Sequence, residues 1–329
     1  MYDFEITIVG AGVIGLAIAR SLALKKKNVL VLDKNNSFGE ENSSRNSGVI
    51  HAGIYYKKDF LKSNLCISGN KLLYNFAKER NISFSNCTKI IISTNKHEDE
   101  KLLQVKNHAE QCGVKLKLLK KNDIKKIESQ LYCSSGLLSE RTGIIDVHEL
   151  MNNFIIDIEN NNGIINYNSH VSKIKADEYK VSFQLKNIKK KSFTTKILIN
   201  CGGILSDKIA ENINGMPKKI IPSIRYVKGN YMKLKGKDPF KRLIYPLPNK
   251  DGLGIHSTIN LSGETLFGPD TEEVSKPNFK VSKNIKKKFI DSIKNYWPEI
   301  ENREIYPDYC GIRPKIKEND FLIQDYKKH

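Results

Sequence analysis

Six residues near the start of the chain have the types and spacing to hold a pyrophosphate: Gly10, Ala11, Gly12, Val13, Ile14 and Gly15. Gly10 permits a tight turn, Gly12 lets the backbone come close to a phosphate, and Gly15 lets a helix pack against a strand. Phosphate oxygens would then face unpaired N–H groups at the positive end of that helix. Asp33 follows at the distance where an acid accepts a hydrogen bond from a ribose hydroxyl, with Lys34 beside it. A carboxylate there repels a 2′-phosphate, which argues against NADP. A glycine-rich turn occurs in other α/β proteins too, and the motif alone leaves NAD and FAD both open.

The elements around the motif supply the right order. Ile6, Ile8 and Val9 make a strand. Leu16, Ala17, Ala19, Leu22 and Ala23 make a helix, which Lys25, Lys26 and Lys27 close. Val29, Leu30, Val31 and Leu32 make a second strand. A polar loop at 35–46 leads into a glycine-punctuated run at 47–56, too apolar for a surface linker. The periodicity predicts a helix at 60–78 with Leu61, Leu65, Leu72, Leu73 and Phe76 facing inward. A strand is expected at 89–94, a helix at 98–112 closed by Gly113, and a short helix at 123–130. Strand and turn follow at 136–145, then a helix N-capped by Asp146 and stopped at 160–163. Strands at 163–167 and 171–174 precede a hairpin at 179–193. Ile197, Leu198, Ile199 and Asn200 run into Cys201, Gly202 and Gly203, and a helix starts at Ser206. Residues 220–268 read as β-rich, with glycine and proline turns. A helix at 282–300 would bury Ile285, Phe289, Ile293 and Trp297 and expose Lys283, Lys286, Lys287 and Lys288.

The dinucleotide half thus returns after an excursion. The fold class expected is α/β: a Rossmann-like domain at 1–85, 146–215 and 305–329, with an inserted, discontinuous substrate domain at 86–145 and 216–304. The second domain is built on a mostly antiparallel β-sheet. Such interruption favours a flavoprotein over an NAD dehydrogenase, whose two domains are usually consecutive.

With 329 residues and 39% hydrophobic content the chain can bury a large core. Its net charge of +19 fits nucleic acid or an anionic membrane, but the lysines are spread through a chain rich in Lys, Asn and Ile. Nucleic acid is therefore not expected. The basic and aromatic alternation at 225–235 reads more simply as a strand with Met232 and Leu234 facing in and Tyr231, Lys233 and Lys235 facing out. Six cysteines without a CxxC pair, and an acidic start that lacks a signal-peptide pattern, suit a reduced, cytoplasmic setting. No apolar run is long enough to cross a bilayer, so any membrane contact is expected to be peripheral, on the lysine face at 283–288. The histidines show no metal-ligand spacing, and no metal is expected.

The stretch Asn46, Ser47, Gly48, Val49, Ile50, His51, Ala52, Gly53, Ile54, Tyr55, Tyr56 resembles the flavin-side segment of the L-2-hydroxyglutarate oxidase and dehydrogenase family. That family lies within the D-amino-acid-oxidase-like FAD enzymes. Agreement extends through Ile244, Tyr245 and Pro246, then Gly254, Ile255, His256, Ser257 and Thr258, then Gly268 and Pro269, and Gly311, Ile312, Arg313 and Pro314. The resemblance covers nearly the whole chain. It implies non-covalent FAD, oxidation of L-2-hydroxyglutarate to 2-oxoglutarate, and passage of electrons to a quinone or oxygen, often at a membrane surface. It also implies a further segment with a glycine- and serine-rich turn and a helix that close the flavin site. The sequence stops at His329, short of that segment, and is expected to be a fragment or to close its site differently.

In this light the protein must position a small dicarboxylic 2-hydroxy acid and take one proton. His51 and His256 are the candidate bases, since neutral imidazole suits proton transfer near neutral pH. Either can equally be a hydrogen-bonded structural histidine, or bind a carboxylate. Arg313 is the candidate carboxylate clamp, against a surface ion pair as the alternative. Tyr55 and Tyr245 are candidates for hydroxyl contacts. Ser43, Ser44, Arg45, Asn46, Ser47 and Gly48 are candidates on the FAD side. Cys201, Gly202 and Gly203 allow close approach of the backbone to FAD, and Val171 is placed at the adenine as the second strand of similar flavoproteins is. Other readings are an FAD enzyme acting on another 2-hydroxy acid, an amine or glycerol 3-phosphate, a flavin-binding protein without activity, and a basic protein for nucleic acid or membrane.

Overall fold

Two short apolar runs, Phe4–Val9 and Val29–Leu32, become neighbouring parallel strands, with Ile6 opposite Val29 and Val9 opposite Leu32. The computed structural model describes residues 2–186, 188, 192–248 and 254–326. The tip of the predicted hairpin, and 249–253 of the β-rich stretch, lie outside the described residues. The chain divides into two units, Met1–Arg45 with Val147–Tyr226 and Arg313–His329, and Asn46–Asp146 with Val227–Ile312. Residues 46–85 and 305–312 therefore group with the second unit rather than with the dinucleotide half.

The first unit holds a seven-stranded sheet. Its order is Ile213–Asn214, Val171–Ala176, Val181–Leu185, Ser192–Asn200, Phe4–Val9, Val29–Leu32, Ile164–Asn166. Ser192–Asn200, Phe4–Val9, Val29–Leu32 and Ile164–Asn166 run parallel, so their C-terminal ends share one edge. Sheets of this kind bind ligands at that edge. The helix Val13–Leu24 packs on Val147–Glu159, and Arg20 Nε meets Asp157 Oδ2 at 2.6 Å.

The second unit is organised on a nine-stranded, mostly antiparallel sheet whose centre joins Leu243–Pro246 in parallel to Lys89–Ser93. On one side lie Ser257–Ile259, Thr265–Phe267 and Arg225–Leu234, and on the other Ser135–Ser139 and Lys117–Lys120. Its core gathers Phe240, Phe267, Phe289, Ile293, Tyr296 and Trp297. A three-stranded sheet, Val49–Ile50, Gly143–Ile145 and Phe84–Ser85, ties the segment before His51 to the rest of the unit.

Three expectations are corrected. The helix predicted at 282–300 spans Lys286–Ile293, and a 3₁₀ turn at Pro298–Asn302 follows. Proline disfavours helical backbone at the residue before it, and Trp297 is indeed extended, at φ −142° and ψ 82°. Phe289, Ile293 and Trp297 are nevertheless buried. In Leu61–Glu79 the inner stripe is Ser63, Asn70 and Ala77, while Leu61, Leu65 and Leu72 are exposed. Asn70 faces inward because its Nδ2 donates to the carbonyls of His51 and Arg141, each at 3.0 Å. Tyr231 is buried, not outward, because its ring stacks on Tyr309 at 4.5 Å between centroids.

Phe289 is fully buried in the second unit's core. Phe289→Ala should lower unfolding free energy by about 3–5 kcal/mol through lost burial and a residual cavity, measured by chemical denaturation. A loss below about 1 kcal/mol would show that this helix does not anchor the unit.

Candidate functional site

In the first unit the glycine turn is built by close approach. Gly10 has φ +114°, and a Cβ on it would strike the Cys201 carbonyl. A Cβ on Gly15 would strike the Gly10 carbonyl, so the helix can lie against the strand end only with glycine there. Gly10 N donates to Leu32 O at 2.7 Å, and Cys201 N to Val9 O at 2.8 Å. These bonds draw three strand ends together.

Asp33 is buried, and its carboxylate holds the turn. Oδ2 accepts from Ala11 N at 2.7 Å and Oδ1 from Asn35 N at 2.9 Å. Each oxygen keeps a second lone pair for a hydroxyl donor. The helix Val13–Leu24 has Gly12 at its N-cap and no side-chain cap there, while Val13 N donates to Ser43 Oγ at 3.0 Å. Ile14 stands exposed beside this end. Ser44 Oγ donates to Gly39 O, and Lys34 Nζ pairs with Glu41 at 2.6 Å. Ser169 N donates to Asp33 O and Asn168 N to Asn35 O, which brings the chain leading into Val171 against the acid. Gly202 N donates to Asn200 Oδ1 at 3.1 Å, and burial pushes the Cys201 thiol up to about 11, so it is a neutral packing group. The turn, the open helix end and the buried acid fit the pyrophosphate and ribose of FAD. Asn46, Ser47 and Gly48 belong to the second unit. There Asn46 Oδ1 accepts from Gly48 N, and its carbonyl accepts from Tyr309 Oη, each at 2.8 Å.

The second unit brings together four of the five sequence-derived catalytic candidates. Gly53, at φ +87°, turns the chain just after His51, where a Cβ would lie 2.9 Å from Ile67 Cγ1. The His51 carbonyl accepts from Asn70, which fixes the backbone beneath the ring. Water reaches His51, yet the packing around it, with the Lys89 charge second, pushes the imidazole down to about 4. It is therefore a neutral proton acceptor near neutral pH. His256 is buried, and its ring stacks on Tyr245 at 3.8 Å and 19°. Its Nδ1 lies 3.2 Å from Gly254 O. A carbonyl only accepts, so Nδ1 carries the hydrogen and Nε2 keeps the lone pair in the neutral ring. The Tyr55 hydroxyl is buried with no hydrogen-bond partner among the described residues, and burial pushes it well above the usual phenol range.

Arg313 is exposed near the end of the strand Ile305–Lys315 and groups with the first unit.

Sequence reasoning passed over Lys89. It opens the strand Lys89–Ser93, is 1% exposed, and holds its Nζ 4.6 Å from the Tyr245 ring centroid and 5.2 Å from that of Tyr55. The signal available was a lysine abutting Ile90, Ile91 and Ile92, a run that reads as a fully buried strand.

Gly15→Val should separate helix from strand and abolish flavin retention. The purified variant is expected to be colourless, with near-normal far-ultraviolet dichroism, when flavin absorbance is read against protein absorbance. Retention of wild-type flavin would refute this account of the turn.

The family model described as FAD dependent oxidoreductase matches residues 5–328. A mitochondrial L-2-hydroxyglutarate dehydrogenase of Arabidopsis thaliana is 32% identical, over 99% of this chain and 77% of that protein. The L-2-hydroxyglutarate dehydrogenase of Indibacter alkaliphilus is 28% identical, over 98% and 92%. Against the human mitochondrial relative, 33% identical over 82% of this chain, the chain spans 61% of that protein's length. Among solved structures, FAD-bound L-α-glycerophosphate oxidase of Mycoplasma pneumoniae superposes with a TM-score of 0.90 at 24% identity, over 98% of this chain and 86% of that one. At that identity the likeness speaks for the fold. With a match over nearly its whole length, the chain belongs to the FAD dependent oxidoreductase family, and FAD is its cofactor.

Proposed function

We propose that this protein oxidises L-2-hydroxyglutarate to 2-oxoglutarate, with a quinone or oxygen as the electron acceptor. The observation that carries the substrate is the relative's name, L-2-hydroxyglutarate dehydrogenase, at 32% identity over 99% of the chain. The site's chemistry agrees with it: the neutral imidazole of His51 and the buried amine of Lys89 suit a hydroxy acid.

When bound, FAD accepts a hydride. The substrate α-carbon loses that hydride, the hydroxyl loses a proton, and the C–O bond becomes a carbonyl. His51 is the base in this reading, because its ring is reachable and neutral. His256 is flat against Tyr245 and tethered to Gly254 O, so it orients the substrate through Nε2. The Tyr55 hydroxyl has a donor to offer the substrate. Arg313 remains the proposed clamp for a carboxylate.

Anaerobic addition of L-2-hydroxyglutarate should bleach the flavin absorbance of the purified protein. A flavin that stays oxidised, while glycerol 3-phosphate or an amine bleaches it, would overturn the substrate assignment.

His51→Asn should slow anaerobic flavin reduction by roughly 10²- to 10⁴-fold without loss of flavin. In the wild type the base must be deprotonated, and its pKa lies at about 4 rather than 6.5. The reduction rate is thus expected to hold steady as pH falls through the ordinary histidine range, and to drop only near the lowered value. A drop centred on the ordinary range would remove His51 from the role.

A further inference from the structure

The amine of Lys89 lies on the same sheet face as Tyr245. Lys89 pairs with Leu243 across the parallel strands, and Ile91 pairs with Tyr245, so these side chains point one way. Tyr55 flanks the ammonium from the other segment. The surrounding cluster of Ala52, Ile54, Ile91, Leu243 and Tyr245 is apolar but for the phenol group. Among the described residues the Lys89 side chain has neither a hydrogen bond nor an ion pair. A buried ammonium without an anion is costly, and two aromatic faces compensate it only in part. Its charge also reaches His51, where it helps to hold the ring neutral.

We propose that Lys89 receives a carboxylate of the substrate, with Tyr55 and Tyr245 as the walls that hold its ammonium in place. This rests on the hydroxy-dicarboxylate reading above. It assigns to a strand residue part of the anion recognition that sequence reasoning gave to Arg313, with a histidine as the alternative. It also explains a cation kept beside a proton acceptor: an incoming carboxylate meets the positive charge while the hydroxyl meets the neutral imidazole.

Binding is coupled to a proton. Burial lowers Lys89 from 10.5 to about 7, so near and above that pH part of the population carries a neutral amine. Among the described residues, the titratable groups around it include His51, Cys66, Tyr55, Tyr245 and Cys87, the last pushed up by burial to about 11. Burial pushes Cys66 and Tyr55 up, so both stay neutral here, and the neighbouring strand Ser135–Ser139 brings no titratable side chain. A carboxylate favours the ammonium, so an anion bound at mildly alkaline pH draws one proton onto Lys89 from solvent. No covalent bond changes.

The test uses the flavin-loaded protein and glutarate, a dianion with no hydroxyl to oxidise. Flavin absorbance reports binding, and calorimetry in two buffers of different ionisation enthalpy reports proton uptake. Lys89→Met should weaken glutarate roughly tenfold to a hundredfold and abolish the uptake, with Lys89→Arg recovering much of the affinity. In turnover the loss should fall mainly on KM. Flavin content checks the fold of each variant, and Lys89→Gln serves if methionine disturbs it. Glutarate binding within about twofold of wild type, with uptake unchanged, overturns the proposal. If the wild type ignores glutarate but binds glycerol 3-phosphate or inorganic phosphate through Lys89, the dicarboxylate reading falls and the cation's role stands. A wild type that responds to no anion overturns both.

Discussion

The contact on which the first unit depends is between two backbones. The helix start at Gly15 lies against the Gly10 carbonyl, and Gly10 lies against Cys201. No side chain fits in either gap. Because the helix is held that close, its N-terminal N–H groups stand at the ends of three strands, beside a buried carboxylate that grips Ala11. The anion-binding geometry is a consequence of steric exclusion, and the charges only complete it.

The second unit solves a different problem. It must place a proton acceptor and an anion receptor side by side without letting them neutralise each other. A carboxylate near Lys89 would pair with it and end its usefulness as a receptor. Aromatic faces instead stabilise the cation and leave its hydrogens available. The same arrangement keeps His51 neutral, through desolvation by the packing around it together with repulsion from Lys89.

Much of this was legible in the sequence because local rules decided it. The glycine turn, the acid after the second strand, the helix closed by Gly113 and the return of the dinucleotide half all follow from periodicity and turn chemistry. What was not legible depends on non-local contacts. The leucines of Leu61–Glu79 face outward because Asn70 must reach two carbonyls distant in sequence, and amphipathic reasoning assigns the apolar face inward. Tyr231 is buried by Tyr309, which no strand alternation foretells. Lys89 opens its strand, where a lysine ordinarily meets solvent, and it lies under two rings only because the pairing with Leu243–Pro246 brings Tyr245 and a separate segment brings Tyr55. Pro298 was in plain view, and the spacing of Phe289, Ile293 and Trp297 overrode it. Those residues are indeed buried, though by a helix followed by a separate turn.

The buried amine also shapes how the fold responds to acid and alkali. In the unfolded chain Lys89 holds its proton up to about its ordinary value of 10.5, while in the fold it releases it from about 7. Between those values the unfolded chain binds more protons, so unfolding free energy rises with pH through that window. Below the folded value the full burden of the buried charge remains, and above the unfolded value it is gone. His51 acts with the same sign between its lowered and ordinary values. These two groups therefore move the chain's greatest conformational resistance toward the alkaline side of neutrality. The feature that readies the site for an anion thus costs the unliganded fold stability as pH falls through these windows.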